Sequence, residues 1–310
     1  MRRFFRAISG FVPVYVLAAF LLIPGACRRN VEPTDLVLLN GHIQTVNPAA
    51  PRAGYLAVKG NTITAVGEKE SEARRYVGPA TRVIDLAGQF VLPGIIDGHV
   101  HFNRAGALIN DANLMTVADE QGLRREIGRV VDLLDDGEWI TEGLWGAYEQ
   151  WDLGDAGRGE RREKTMWRPN RAMIDDLTIA NPCFLCRYDY KEWLANTAAL
   201  EAAGVRANKI EGLELGRDGK PTGIVFRPSP AFTTVSQAVK PKSRERLLDE
   251  NRAALKALRE AGIVEIHDIE VPDQTERFIA LQENGELTCR VWLRPDLSRG
   301  AELGTAGFTM

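Results

Sequence analysis

The chain has 310 residues, 45% of them hydrophobic and 26% charged, enough to bury a sizeable core in one or two domains and too apolar for a disordered chain. Its formal charge is -3, with acidic and basic residues interspersed. That excludes an electrostatic footprint for nucleic acid and favours a small-molecule ligand.

Residues 1–27 read as an export signal: Arg2, Arg3 and Arg6 form a basic start, an apolar run from Phe11 to Ile23 follows, and Pro24-Gly25-Ala26-Cys27 closes it. The run is short of the ~20 apolar residues of a membrane span. An uncleaved anchor in the membrane is the alternative to cleavage. Ala26 before Cys27 resembles the lipobox of bacterial lipoproteins, although Pro24 stands where that motif usually has Leu. The resemblance implies lipidation at Cys27 and an exported protein, periplasmic or membrane-anchored.

Between residues 32 and 91 short alternating runs follow one another: Leu36 to Leu39, Ile43 to Val46, Tyr55 to Val58, Thr62 to Val66 and Arg82 to Leu86. Asn40-Gly41 and Gly60-Asn61 punctuate them as hairpin turns, which predicts a small β domain over 32–91.

From residue 92 onward strands alternate with helices. The spacing predicts a helix over 122–134, a strand over 139–144, a helix over 169–180, a strand over 182–188 and a helix over 193–203. Residues 205–240 form an irregular insertion with a hairpin at Asp218-Gly219, and a long amphipathic helix over 243–261 ends at Gly262. A strand over 263–269, a helix over 274–283 and a strand over 287–293 complete the series. Such alternation predicts an α/β fold with a parallel sheet. Counting the strand that enters at Phe90, about five strands stand against the eight of a closed barrel, so an open-ended architecture is expected over 92–310, a partial (β/α) barrel or a doubly wound sheet.

The chemistry-bearing stretch is Leu92-Pro93-Gly94-Ile95-Ile96-Asp97-Gly98-His99-Val100-His101. Two imidazoles two residues apart in an extended segment leave the same face and reach one cation, and neutral imidazole is the commonest metal ligand. Pro93-Gly94 and Gly98 are expected to let the backbone turn tightly there. Only His42 and His267 remain of the histidines. His42 belongs to the β domain and is expected to be structural. Cys183 and Cys186 have C-x-x-C spacing but no second pair to complete a zinc site, so buried, apolar cysteines are expected.

At this stretch the sequence resembles the amidohydrolase superfamily, and within it amidohydrolase family 3, the formamide-deformylase-like group. Pro169-Asn170-Arg171-Ala172-Met173-Ile174-Asp175, Leu194-Ala195-Asn196-Thr197-Ala198-Ala199-Leu200, Asp218-Gly219-Lys220-Pro221-Thr222-Gly223-Ile224 and Gly262-Ile263-Val264-Glu265-Ile266-His267-Asp268 carry the same resemblance. It implies the N-terminal part of a metal-dependent hydrolase of the TIM-barrel type, flanked by a β-sandwich and acting on non-peptide carbon–nitrogen bonds in amides, formamides or cyclic amides. One or two divalent ions, usually zinc, would activate water in such an enzyme.

For this chain the resemblance implies His99 and His101 as metal ligands. His267 is a further ligand candidate or a packing histidine, with Asp268 equally able to be the functional member of that pair. Lys191 stands where related enzymes often show Asp-Gly-His, as a bridging lysine or an exposed one. Trp145, Arg171 and Asp268 are the substrate-binding candidates. Trp139, Trp145, Tyr148 and Trp151 line an apolar pocket or pack in the core, and the basic run from Arg158 to Arg171 forms a loop over the barrel mouth or contacts an anionic ligand. Two other readings stay open: a truncated or split-gene exported protein without catalysis, and a barrel remnant completed by a C-terminal half on another chain. A partial barrel would expose sheet edges and apolar faces.

Overall fold

The computed structural model describes residues 32–147, 167–205, 210–269 and 275–294. The export signal with Cys27, and Tyr148, Trp151 and Arg158 to Met166 of the basic run, lie outside the described residues. The chain divides into two compact units, residues 1–93 and 94–310.

In the first unit, strands β1 (Leu36–Leu39), β2 (His42–Gln44), β3 (Arg52–Ala53), β4 (Tyr55–Lys59), β5 (Thr62–Gly67), β6 (Arg82–Asp85) and β7 (Phe90–Val91) form two sheets, ordered β5-β4-β1-β6 and β3-β2-β7. Helix α1 (Glu70–Ala73) joins Val37, Tyr55 and Ala57 in a small core through Ala73. Gly60-Asn61 is the expected two-residue hairpin, since Lys59 pairs with Thr62. Asn40-Gly41 is not: β1 pairs with β4 and β6, β2 with β3 and β7, so this turn hands the chain from one sheet to the other. A turn signal reports a reversal and leaves open which strands pair across it.

The second unit departs from a single βα series. Strand β8 (Ile95–Val100) leads into helix α2 (Phe102–Asn110); after it come β9 (Ala112–Asn113), α3 (Glu120–Val131), β10 (Ile140–Trp145), β11 (Cys183–Arg187), β12 (Glu192–Ala195), α4 (Thr197–Ala202), β13 (Leu213–Leu215), β14 (Pro221–Phe226) and α5 (Pro230–Ala238). The long helix α6 (Arg244–Glu260), β15 (Ile263–Asp268), α7 (Thr275–Glu283) and β16 (Arg290–Leu293) follow. The expected five-strand ladder is corrected by the pairing. Among the described residues only β8, β15 and β16 share a parallel sheet, in the order β16-β15-β8, while β10 and β11 belong to a six-stranded mixed sheet ordered β13-β14-β12-β11-β10-β9. The insertion is therefore larger than residues 205–240: it opens after α2 and closes before α6. Hydrophobic period identifies a strand but not its sheet.

Two further expectations change locally. Residues 169–180 hold only a 3-10 turn at Arg171–Met173, because polar side chains take the backbone elsewhere: Asn170 accepts from the Ala172 N–H and the Thr178 hydroxyl donates to the Ile174 carbonyl. The expected helix over 193–203 is split. Glu192–Ala195 pairs antiparallel with β11, and Asn196 then caps α4 by accepting from the Ala199 N–H at 2.8 Å.

The inserted sheet is covered on both faces. Ile140, Trp145, Cys183, Leu185 and Leu194 pack with Leu123, Ile127 and Val130 of α3, while Phe184, Ala195 and Val225 pack with Ala199 of α4 and Val235 of α5. Alternate residues of β11 serve opposite cores, as a pleated strand requires. The parallel sheet has a core on one side, where Ile266 meets Phe102 of α2, Leu248 and Leu255 of α6, and Phe278 and Leu281 of α7.

Helices α2 and α6 cross where α2 carries Gly106. A Cβ there would collide with the Glu250 carbonyl of α6. The seam where the insertion leaves and returns is ionic. Asp111, fully buried at the end of α2, accepts from Arg246 at 3.0 Å and pairs with Lys242 at 3.1 Å. Lys242 also pairs with the buried Glu250 at 2.5 Å, and the Ala112 N–H donates to Asp111 at 3.0 Å. Burial pushes the Glu250 carboxyl up and Lys242 pulls it back.

Gly106→Ala is predicted to lower the unfolding midpoint although alanine is the better helix former by ~1 kcal/mol, because overpacking costs about 1–3 kcal/mol; thermal unfolding followed by circular dichroism measures the sign. Asp111→Ala removes the buried carboxylate that Lys242 and Arg246 share, leaving them only Glu250 and Glu138, and is predicted to cost about 3–5 kcal/mol in urea unfolding.

Candidate functional site

His99 and His101 flank the last residue of β8, and His101 is the residue that precedes α2. Both are exposed, with ring centroids 5.6 Å apart and planes at 66°. The Asp97 carboxylate accepts from the His99 N–H at 3.1 Å, steadying the approach to the pair. Of the glycines expected to shape this turn, Gly98 faces open space. Gly94 has the steric role: a Cβ there would run into the Val264 side chain, so it sets how closely β8 approaches β15.

The other metal-ligand candidates do not converge on this pair. His267 lies on β15 and alternates with the buried Ile266 and Asp268, so it shares the opposite face with Glu265. Arg294 Nη2 is 2.7 Å from His267 Nδ1. A guanidinium only donates, so Nδ1 is the acceptor and Nε2 carries the proton, 3.6 Å from Glu265 Oε1. In that tautomer neither nitrogen offers a spare lone pair to a cation. The Arg290 guanidinium bonded to Glu265 holds that carboxyl below its ordinary range. Lys191 is exposed in the turn between β11 and β12, its N–H on Asp189 and its carbonyl accepting from the Arg227 N–H. Among the described residues no group of three or more His, Cys, Asp or Glu is placed to hold an ion.

The substrate-binding candidates have structural partners. Trp145 is buried in the core with Leu114 and Leu185, a correction to the pocket-lining reading: the end of β10 turns its indole inward. Arg171 donates to Asp175 at 2.6 Å, to the Thr197 hydroxyl and to the Pro221 carbonyl at 2.8 Å. Asp175 in turn accepts from the Thr197 N–H and hydroxyl, both at 2.8 Å. Asp268 is fully buried and accepts from the Phe102 N–H at 3.3 Å. Cys183 and Cys186 are both buried, and burial raises both thiols, that of Cys186 to about 12. Neither is a thiolate near neutral pH.

Sequence reasoning missed a polar cleft of about 260 Å³ lined by Asn103, Arg104, Glu142, Lys242, Glu250 and Arg277. Arg104, one helical turn after His101, stands 3.8 Å from Glu142 and 5.1 Å over the Tyr190 ring. The backbone is unusual here: Glu142, Gly143 and Leu144 all have positive φ, at 66°, 118° and 60°, and Tyr190 has 57°. Gly143 is the one sequence sign of this feature. Burial raises the Glu142 carboxyl above its ordinary value of 4.5, against the pull of Arg104.

The profile of the amidohydrolase family matches residues 82–307. The N-substituted formamide deformylase of Arthrobacter pascens is 30% identical over 198 residues, 62% of this chain and 34% of that protein. Protein LONG AFTER FAR-RED 3 of Arabidopsis thaliana is 29% identical over 71% of this chain and 35% of its own length. This chain thus spans about a third of the length of these relatives. An uncharacterized metal-dependent hydrolase from Pyrococcus furiosus shares the fold, with a TM-score of 0.60 and 21% identity over 89% of this chain and 53% of that one.

A carboxyl whose folded pKa is raised costs stability as pH climbs past its unfolded value, because the unfolded chain ionises first. Glu142→Gln is therefore predicted to gain stability relative to the parent as pH rises from about 4 toward 7, in urea titrations at both ends. The opposite slope would mean that Arg104 outweighs burial.

Proposed function

Because the chain belongs to the amidohydrolase family, we propose that it carries the opening part of a metal-dependent hydrolase that cleaves carbon–nitrogen bonds other than peptide bonds, of the amide, formamide or cyclic amide kind. The observation that carries this reading is His99-x-His101 at the C-terminal end of a parallel strand that leads straight into a helix. Barrel enzymes of the β/α kind place their active residues at that end of the strands. In this reading β8, β15 and β16 are the first strands of the barrel, and the six-stranded sheet is an insertion between the first strand's helix and the second strand. The parallel order β16-β15-β8 supports it.

Two exposed imidazoles fit the nitrogen donors of a divalent ion, and zinc is the ion proposed. Catalytic zinc sites use three protein ligands, so the pair fits as part of such a set, with the remaining ligands outside the described residues. When bound, one or two such ions would lower the pKa of water and polarise the scissile carbonyl. His99 and His101 would hold the ion, and Asp97 keeps the chain before them in place through the His99 N–H. The proposal extends to a small-molecule substrate, to completion of the site by further strands in the same polypeptide or another, and to export through residues 1–27, with Cys27 as the lipidation point. Among the described residues no helix is long and apolar enough to cross a membrane.

Isothermal titration of the purified chain with zinc tests the reading. The parent is predicted to bind stoichiometrically, and His99→Ala and His101→Ala each to lose at least about tenfold in affinity, roughly 1.4 kcal/mol. Absence of binding at saturating zinc would sink the proposal for this chain.

A further inference from the structure

We infer that Asp268 is a positioning residue for the histidine pair: its buried carboxylate holds the first turn of α2 and so sets where His101 stands relative to His99. This rests on the reading of that pair as metal ligands.

Asp268 closes β15 on the buried face of the sheet, so its carboxylate looks toward the helices and away from the face shared by Glu265 and His267. Its Oδ1 accepts from the N–H of Phe102, the first residue of α2, at 3.3 Å. A helix start leaves N–H groups without intrahelical partners, and the residue before the helix usually supplies an acceptor. Here that residue is His101, whose side chain makes no capping bond. The neighbouring strand supplies the acceptor, and a carboxylate also suits the positive end of the helix dipole.

The same strand grips the residue on the other side of His101. Asp268 is in register with Val100, and the Ile269 N–H donates to the Val100 carbonyl at 3.1 Å. His101 is therefore pinned at both neighbours, with φ -100° and ψ 77°, outside both the helical and the extended wells. One more hydrogen bond and one ring contact make the clamp rigid. The Arg294 N–H donates to the Asp268 carbonyl at 2.8 Å, and the Phe102 ring packs on Phe278 with centroids 4.9 Å apart. If the carboxylate were lost, the first turn would relax and the imidazole of His101 would shift against that of His99.

The test is a zinc titration of the full chain followed by NMR of the imidazole resonances of His99 and His101. Asp268→Ala removes the acceptor, whereas Asp268→Asn keeps an oxygen in place. Outer partners that orient metal ligands are worth about 10–100-fold in affinity. Asp268→Ala is expected to weaken zinc binding about tenfold or more, and Asp268→Asn to remain within about threefold of the parent. Equal binding by Asp268→Ala and the parent overturns the inference, and so does an Asp268→Asn protein as impaired as Asp268→Ala. If Asp268→Ala does not fold, Asp268→Ser, whose hydroxyl is too short to reach Phe102, takes its place under the same criteria. If the parent's imidazoles do not respond to zinc, the metal reading fails separately. The positioning role is then decided without metal: about tenfold faster amide exchange at Phe102 and Ala105 in Asp268→Ala, with Asp268→Asn near the parent, upholds it, and unchanged exchange overturns it.

Discussion

The buried carboxylate of Asp111 is the constraint on which the second unit depends. It stands where the chain leaves the parallel sheet's first helix, and Lys242 and Arg246 bind it where the chain returns. Removing three charges from water is costly, and the pairing is tolerable because the group is fully engaged: two cations, the Ala112 N–H and, more weakly, Thr141 share the two oxygens of Asp111. With the ends of the insertion clamped together, α2 and α6 lie against each other and β8 can pair with β15, a strand far away in sequence. The close crossing at Gly106 makes that packing specific, since only a residue without a side chain admits the Glu250 carbonyl.

A second polar knot organises the inserted sheet. Asn196 is fully buried; it accepts from the Cys183 and Ala199 N–H groups and donates to Thr178 and the Asn181 carbonyl. Arg171, Asp175 and Thr197 form an adjoining cluster tied to the Pro221 carbonyl. Three of the motifs that carry the family resemblance thus meet at one place, and their polar residues satisfy buried backbone groups there. A half-satisfied network of this kind would be worse than an apolar core, which explains the demand for these side chains together.

The proposed metal chemistry is at the end of β8. The face that β15 and β16 turn away from the helices is polar in its own right, with Glu265 bonded to Arg290 and His267 to Arg294. That pairing engages both ring nitrogens of His267. The cleft beside Arg104, with its run of positive φ at residues 142–144, brings the inserted sheet to within one helical turn of His101. Backbone strain of this sort persists only where the surroundings hold it. The insertion therefore shapes the surroundings of Arg104, one helical turn from His101.

Much of this was legible in the residues themselves. The alternating runs of the first unit, the 3.6-residue stripe of α6, the strand ending in His-Val-His and the burial of Cys183 and Cys186 follow from local periodicity and side-chain chemistry, which act within a few residues. The Asn196 cap was also readable, as Asn ahead of Thr-Ala-Ala-Leu, but an apolar run from Trp193 hid the strand that precedes it. Partnership was not readable. Whether β10 joins β8 or β11, whether Asn40-Gly41 closes a hairpin, and whether Asp268 meets a substrate or the N–H of Phe102 depend on contacts between residues 30 to more than 160 positions apart. Period and propensity specify which way a side chain points along its own element; what waits at the other end of that vector is decided by packing and by the need to pair every buried charge.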